Sequence, residues 1–497
     1  MVQNLHGVNV VVEPVRVYHT GSLASHIIGY MGKISEKNKQ EFTDAGDEYP
    51  YENDDKVGQA GIEKVFEQYL RGTDGEKQID MDVDGMITGE YTSKEAIGGA
   101  NIVLTIDANL QEVTENALAN NIEKIKTGGF DGDVYDAKGG VAVVTNVKTG
   151  EILAMASYPD YEPSAFYNGL SQEQYNDYNS RGVWTNKAIQ NAYAPGSTFK
   201  MVTAIAGLQE GVISRNEYIN DTGVYYVSDY YQPHCWYYDK YHAGHGPLNV
   251  SDAIKKSCNY FFYETGYRMG IDNLEKYGRF FGLGSKTGIE LTGEKAGTLA
   301  NRSITERWSA GDTVNAAIGQ GYNNFTPIQM AKYISILVNG GQQVDLTLVK
   351  SVVQSNGVAV PKSTIEEFVN KKLGISNENT NEDIQLDPDA VDAVLEGMLS
   401  VTDETGGTAY STFKDFNIEV GGKTGSAETS TTDVNAWFVG FAPFDDPEIA
   451  VVVLVENGGH GSYTAEVVRD IIGEYFGMNV EQITEDMSTS SEMESFR

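Results

Sequence analysis

Ser197 and Lys200 are the first pair in this chain whose types and spacing could do chemistry. They follow the turn-forming pair Pro195-Gly196, and an apolar stretch begins at once. If a helix starts here, both side chains lie on one face, because residues three apart are neighbours on a helix surface. A lysine whose pKa is lowered by burial can take the proton of a serine and make it a nucleophile. A helix cap beside a solvated lysine is the alternative interpretation.

A second polar motif lies sixty residues further on, inside the helical pattern of Val250 to Met269. Ser257 and Asn259 are two apart and could project together from a helix start or a short loop. The hydroxyl could relay a proton, and the carboxamide could hold a substrate peptide. An ordinary polar helix face would show the same residues.

A third motif, Lys423-Thr424-Gly425-Ser426, follows an apolar strand pattern that begins at Ile418. A lysine and a hydroxyl at the end of a strand can bind a carboxylate. A glycine there lets a substrate backbone approach the strand edge closely. Taken alone, the letters also fit a strand end followed by a turn.

Together, Ser-x-x-Lys, Ser-x-Asn and Lys-Thr-Gly stand in the order found in penicillin-binding proteins and class A β-lactamases. The chain resembles the penicillin-interacting serine acyltransferases and, among them, a class B penicillin-binding protein, a D,D-transpeptidase of cell-wall synthesis. The resemblance runs from about residue 15 to about residue 478, and no glycosyltransferase-like sequence precedes it. Further family-like stretches are Leu23–Tyr30, Gly58–Glu63, Leu104–Asp107, Leu110–Gln111, Asn186–Ile189, Gly319–Gly321, Gly406–Ala409 and Trp437–Pro443.

The resemblance implies a catalytic role for five side chains. Ser197 would attack the penultimate D-Ala carbonyl of a peptidoglycan stem peptide, and Lys200 would accept its proton. Ser257 would pass that proton to the leaving amine. Asn259 would orient Lys200 and bind the substrate backbone, and Lys423 would keep the local field positive.

The resemblance also implies the binding groups. Thr424 would bind the terminal carboxylate of the stem peptide, and Gly425 would admit its backbone. The backbone N–H groups of Ser197 and Ser426 would form the oxyanion hole. A β-lactam would acylate the same serine, and the chemistry would need no cofactor. A D,D-carboxypeptidase or a β-lactam sensor using this serine is the alternative function.

The two cysteines of the chain favour a possible metal site. Cys235 opens a stretch that contains Asp239, His242 and His245, and Cys258 lies inside the Ser-x-Asn motif. We expect Cys235, Asp239, His245 and Cys258 to hold a structural zinc, with His242 as the alternative histidine ligand. Two free thiols or a disulfide would explain the cysteines as well.

Composition limits the partners and the location. A formal charge of −35 over 497 residues argues against nucleic acid. No run of 18 apolar residues exists, so we expect a chain that lacks its N-terminal membrane anchor. The resemblance implies work at the outer face of the bacterial cytoplasmic membrane, with stem peptides, β-lactams and a membrane glycosyltransferase as partners. A role in elongation, division or sporulation stays open.

Strand patterns come early and late in the chain, and helical patterns lie between them. This order predicts an α+β fold whose sheet is assembled from both ends of one domain. The resemblance implies the penicillin-binding transpeptidase fold, an antiparallel sheet flanked by helices with an all-helical subdomain. We expect an incomplete accessory (pedestal) region at 1–97, the transpeptidase domain at 98–479 and a disordered tail at 480–497.

Overall fold

The computed structural model describes residues 15–44, 51–83, 87–375, 384–429 and 433–478. The tail predicted at 480–497 lies outside the described residues. The strands are β1 Met31–Lys33, β2 Lys56–Gly58, β3 Glu76–Met81, β4 Ile87–Lys94, β5 Asn101–Leu104, β6 Gly140–Asn146, β7 Ile152–Tyr158, β8 Ile219–Asp221, β9 Gly246–Leu248, β10 Val349–Val353, β11 Gly421–Glu428, β12 Val434–Ala442 and β13 Ile449–Val455.

The helices surround the main sheet and build the layer beside it. They are α1 Ser25–Ile28, α2 Glu36–Asp44, α3 Gly61–Val65, α4 Glu67–Leu70, α5 Ala108–Lys126, α6 Gln172–Arg181, α7 Lys187–Gln190, α8 Lys200–Gln209, α9 Trp236–Tyr241, α10 Val250–Lys255, α11 Asn259–Met269, α12 Ile271–Phe280, α13 Ala310–Ala317, α14 Pro327–Val338, α15 Lys362–Leu373, α16 Pro388–Asp403, α17 Tyr410–Phe413 and α18 Ala465–Tyr475. Single 3-10 turns are Pro163–Phe166, Gly196–Phe199 and Arg302–Ile304. Within the described ranges, no helix is long and apolar enough to cross a membrane.

The main sheet has five strands in the order β11-β12-β13-β6-β7, and every neighbouring pair is antiparallel. Its strands come from both ends of the domain, so the predicted α+β arrangement is confirmed. β13 is central, and all seven of its residues are buried. A strand covered on both faces reads as a continuous apolar run, which explains its sequence Ile-Ala-Val-Val-Val-Leu-Val.

Helices cover both faces of this sheet. Gly440 of β12 packs against Val468 of α18, on the face where α5 also lies. Thr145 of β6 reaches the other face and hydrogen-bonds Ser335 of α14 at 2.8 Å. The register explains why Gly440 and Thr145 face opposite ways. Gly440 is level with Val144 across β13, and Thr145 follows Val144, so its side chain points to the other face of the sheet. α14 also contacts α16, which in turn packs against α8, the helix that begins with Lys200.

The described residues among the first hundred form small strand pairs and short helices that pack on the larger domain. Tyr30 stacks on Phe166 at a centroid distance of 3.9 Å, and buried His26 lies 2.8 Å from the carbonyl of Val183. β5 pairs with the distant β10, which joins both parts of the chain in one sheet. The domain boundary predicted between residues 97 and 98 stays a prediction.

Two predicted elements differ from the structure around the motifs. The helical pattern from Val250 to Met269 is two helices, α10 and α11, which break at Ser257. The strand expected to end at Lys423 continues to Glu428, so the third motif lies inside β11. Glycine is poor in intrinsic strand propensity, and the glycines of this strand therefore hid its true length.

Candidate active site

The turn that carries Ser197 is held against β11 by close backbone contacts. Gly196 has a left-handed φ of +53°, and a Cβ there would lie 2.9 Å from the carbonyl oxygen of Ser426. The Gly196 N–H donates to Gly319 O at 3.0 Å. A Cβ on Gly319 would in turn lie 2.1 Å from the carbonyl oxygen of Gly196. Both positions need glycine, and they fix the serine in the 3-10 turn that leads into α8.

Lys200 begins α8 and is completely buried. Its Nζ donates to Ser257 O at 2.8 Å and to Asn259 Oδ1 at 2.7 Å, and lies 3.4 Å from Ser257 Oγ. Burial lowers the pKa of Lys200 to about 8, although the charges of Cys235 and Cys258 oppose the shift. The first two motifs therefore meet, and the amine between them can be neutral near physiological pH.

Ser257 occupies the break between α10 and α11 with a left-handed φ of +52°. Its N–H donates to Ile254 O at 3.1 Å, and the indole N–H of Trp236 donates to its carbonyl at 3.1 Å. Cys258 caps α11, where its Sγ accepts from the N–H of Phe261 at 3.4 Å. A non-glycine residue in this conformation costs roughly 1–3 kcal/mol and persists where its surroundings hold it, as at many functional sites.

Lys423 brings the third motif to the same hydroxyl. It is completely buried in β11, and its Nζ donates to Ser257 Oγ at 2.8 Å and to Thr424 O at 2.9 Å. Burial, and then the charge of Lys200, lower the pKa of Lys423 well below its usual value. Each ammonium charge thus disfavours the other, and the expectation that Lys423 keeps the local field positive stays a prediction.

Gly425 has a packing role that the sequence did not indicate. A Cβ there would lie 2.8 Å from Thr198 Cγ2 and 3.0 Å from Pro195 O. The glycine thus admits the turn that carries Ser197, and its expected role toward the substrate stays a prediction.

Two residues near the motifs were not singled out by the sequence. Thr408 hydrogen-bonds the hydroxyl of Thr424 at 2.7 Å, oxygen to oxygen. Buried Trp437 donates its indole N–H to Ala194 O at 3.0 Å and so anchors the chain just before the nucleophile turn. Both lie in stretches that resemble the family, and this was the one available signal.

Four potential metal ligands gather behind the second motif. They are Asp221, Cys235, His245 and Cys258, whose ligand atoms all lie within 4.8 Å of one another. The two Sγ atoms are 4.0 Å apart, and His245 Nδ1 is 3.6 Å from Cys235 Sγ. Oδ2 of Asp221 is 2.7 Å from that Nδ1 and 3.3 Å from Cys258 Sγ.

The predicted ligand set is thus corrected at one position. Asp239 points to solvent in α9 and its carboxylate binds His234 Nδ1 at 2.8 Å. His242 ends that helix, exposed, with a left-handed φ of +54°. Asp221 takes the fourth place because β8 pairs with β9 and brings it beside His245. No sequence spacing shows this long-range pairing.

The buried cluster concentrates negative charge. A hydrogen bond from Cys258 lowers the pKa of Cys235 to about 5, and burial raises that of Cys258 well above its usual value. Burial alone would raise the pKa of Asp221, but hydrogen bonds led by His245 lower it to about 2. Burial alone would lower the pKa of His245, but hydrogen bonds to Asp221 and Cys235 raise it, so the imidazole can balance part of this charge. Thiol, carboxyl and imidazole groups together are a donor set that suits a cation.

The Ser-x-x-Lys turn, the Ser-x-Asn break and the Lys-Thr-Gly strand of an antiparallel sheet, with buried Lys200 and Lys423 both at Ser257, define the class of penicillin-reactive serine acyltransferases. Comparisons with known proteins give the same class. A family model of the penicillin binding protein transpeptidase domain matches residues 140–473. A second family model, the penicillin-binding protein dimerisation domain, matches residues 1–104.

Individual relatives cover nearly the whole chain. Peptidoglycan D,D-transpeptidase MrdA of Haemophilus influenzae is 31% identical over 500 residues, covering 94% of this chain and 70% of the relative. The crystal structure of Pseudomonas aeruginosa PBP2 in complex with WCK 5153 matches with a TM-score of 0.73 and 30% identity, covering 94% and 92% of the two chains. A chain from a peptidoglycan synthase complex that coordinates polymerization and crosslinking matches with a TM-score of 0.74 and 29% identity, covering 93% and 76%.

The chain belongs to the class B penicillin-binding proteins. Its activity is that of a serine-type peptidoglycan D,D-transpeptidase, which cross-links stem peptides and is acylated by β-lactams. The expected family, fold and activity are confirmed, whereas the role of each residue remains to be assigned.

Proposed function

We propose that Ser197 is the nucleophile of this transpeptidase and that the three motifs form one catalytic site around it. The observation that carries the proposal is the convergence of two buried lysines on Ser257 Oγ, with Lys423 Nζ at 2.8 Å and Lys200 Nζ at 3.4 Å. The two lysines come from different elements, α8 and β11. Because both reach the same hydroxyl at the helix break, we infer that they act in one reaction.

Acylation follows from these contacts in two proton movements. Lys200, as the free amine, takes the proton of Ser197 while Oγ forms a bond to the penultimate D-Ala carbonyl carbon. The C–N bond to the terminal D-Ala then breaks, and the proton passes through Ser257 to the leaving amine. A second stem peptide supplies the amine that takes the acyl group and regenerates Ser197.

Binding of the donor peptide rests on β11. Thr424 binds the terminal carboxylate, and the N–H groups of Ser197 and Ser426 hold the oxyanion. Losing one such donor would slow acylation roughly a hundredfold or more. Asn259 binds the substrate backbone and also holds Lys200 in position. The charge on Lys423 returns when the substrate carboxylate arrives, because an opposite charge nearby raises a lysine pKa.

The chain also fits a place in the cell-wall machinery. We propose a transpeptidase domain at 98–479, an accessory region at 1–97 and action at the outer face of the cytoplasmic membrane. The relative from a synthase complex that couples polymerization to crosslinking supports a membrane glycosyltransferase as partner.

Labelling with a fluorescent penicillin tests the nucleophile. Ser197→Ala should abolish covalent labelling, and Ser180→Ala, an exposed serine of α6, should leave it unchanged. Undiminished labelling of Ser197→Ala would reject the assignment. Repeated turnover of a depsipeptide donor, with transfer to an added amine in place of water, would exclude both a pure sensor and a carboxypeptidase.

We further propose that Asp221, Cys235, His245 and Cys258 hold a structural Zn²⁺. Thiolate, imidazole and carboxylate are the donors that zinc takes in tetrahedral sites, with metal–ligand bonds of about 2.0–2.3 Å. Such bonds require ligand atoms about 3.3–3.8 Å apart. Four of the separations here run from 2.7 to 4.0 Å, and all lie within 4.8 Å, so small shifts would complete the site. The ion would fix Cys258 between Ser257 and Asn259 without touching the substrate.

Elemental analysis of protein purified without added metal tests this site. We expect about one equivalent of zinc in the wild type, much less in Asp221→Ala and the wild-type amount in Asp239→Ala. The second variant is the matched control, because Asp239 lies outside the cluster. Less than about a tenth of an equivalent in the wild type would reject zinc, and thiol titration would then separate two free thiols from a disulfide.

A further inference from the structure

The two hydroxyls on the substrate-binding strand are each engaged by a neighbour from outside β11. Thr424 and Ser426 point to one face, because side chains alternate along a strand. The hydroxyl of Thr408 lies 2.7 Å from that of Thr424. The backbone N–H of Gly461 donates to Ser426 Oγ at 3.2 Å.

These contacts decide where the hydroxyl protons can go. A hydroxyl has one proton to donate, and an ionised carboxylate only accepts. Since the Gly461 N–H can only donate, Ser426 receives that bond and keeps its own proton free. When Thr424 turns its proton to a carboxylate, the bond to Thr408 persists if Thr408 becomes the donor.

We propose that Thr408 is a positioning residue that fixes the Thr424 hydroxyl as a donor to the terminal carboxylate of the donor peptide. Gly461 does the same for Ser426. The inference rests on the proposed function, because Thr424 is assigned the carboxylate there. It extends that function by naming the groups that prepare the carboxylate site before substrate arrives.

The loop around Thr408 is built to hold one position. Gly407 donates to Glu404 O at 2.9 Å, and a Cβ on Gly407 would lie 2.4 Å from the carbonyl oxygens of Ser400 and Val401. Ala409 is fully buried and donates to Val401 O at 3.0 Å. The loop therefore stays fixed to α16, which packs against β11.

Gly461 is held just as closely. A Cβ there would lie 2.4 Å from Gly425 O and 2.6 Å from Trp437 O, so only glycine lets this amide reach β11. Ser426 is exposed while Thr424 is nearly buried, as expected of groups at the edge of a groove. Ser426 thus keeps its hydroxyl proton for a ligand, and Thr424 keeps its own when Thr408 is the donor of their shared hydrogen bond.

The test measures acylation by benzylpenicillin and by its methyl ester, which lacks the carboxylate. Thr408→Val should slow acylation by the acid about tenfold, because it removes one hydrogen bond of the series that leads from Thr408 through Thr424 to the carboxylate. The rate with the ester should not change. Thr408→Ser, which keeps the hydroxyl, should restore the acid rate. Thr408→Ala gives a second hydroxyl-free variant should the valine protein fold poorly.

A double-mutant cycle with Thr424→Val completes the test. If Thr408 acts through Thr424, adding Thr408→Val to Thr424→Val should cost nothing further. An equal loss for acid and ester would show a merely structural role, and additive losses would show a direct contact of Thr408 with the carboxylate. Either result overturns the proposal. Failure of the proposed function would show separately, as labelling that survives Ser197→Ala.

Discussion

Replacing Asn259 by aspartate should move the pH dependence of acylation by changing one pKa. Asn259 Oδ1 lies 2.7 Å from Lys200 Nζ, and that lysine has a pKa lowered to about 8 by burial. The base acts as the free amine, so acylation by a penicillin should rise with pH and level off above about 9. Below the pKa, each pH unit should lower the rate about tenfold.

The size of the shift follows from the geometry. A carboxylate within about 4 Å favours the charged ammonium and raises a pKa by roughly 1–3 units. Asn259→Asp should therefore move the midpoint from about 8 to about 9 or higher. At pH 7 the free amine would fall by about tenfold or more, and much of the lost rate should return at high pH.

Stopped-flow measurement of penicillin acylation across pH 6 to 10 checks this expectation. Asn179→Asp, on the exposed side of α6, is the matched control for an added negative charge and should leave the midpoint in place. Loss of the substrate contact of Asn259 would lower the rate at every pH without moving the midpoint. An unmoved midpoint in Asn259→Asp would refute Lys200 as the titrating base.

Three further substitutions test the supports of the site. Ser257→Gly should keep or raise thermal stability, because glycine accepts a φ of +52°, and should slow acylation about a hundredfold or more. Trp437→Phe should cost about 1 kcal/mol in denaturant unfolding through the lost bond to Ala194. Gly425→Ala should displace the nucleophile turn and reduce penicillin labelling, while circular dichroism reports an intact fold. An unchanged acylation rate in Ser257→Gly, unchanged unfolding in Trp437→Phe or unchanged labelling of Gly425→Ala would contradict the reason given for that substitution.

Local rules predicted those parts of the site that depend on neighbours in the sequence. The spacing of Ser197 and Lys200 places them a turn apart on any helix that starts there, and the structure has the turn and then α8. The central strand β13 and the helix α14 were readable from apolar runs and periodicity. The family, its fold and its activity came from the combination of three motifs that are weak when taken singly.

Contacts between distant segments of the chain determine the parts of the site that the sequence did not predict. Asp221 joins Cys235, His245 and Cys258 because β8 pairs with β9, whereas the sequence favoured the nearer Asp239. The break at Ser257 and the full length of β11 also depend on contacts from distant elements. Local propensity is a weak guide where tertiary contacts impose the conformation.

The position of Cys258 links the buried cluster of Asp221, Cys235, His245 and Cys258 to the proposed catalytic site. Its backbone neighbours, Ser257 and Asn259, both contact Lys200, so a small movement of Cys258 would change both contacts together. The strained turn at Ser257 needs such a hold, since an L-residue does not keep this φ without outside contacts. A buried side chain that both caps α11 and belongs to the cluster provides one. The cluster therefore stiffens the backbone next to the proton relay that we propose through Ser257.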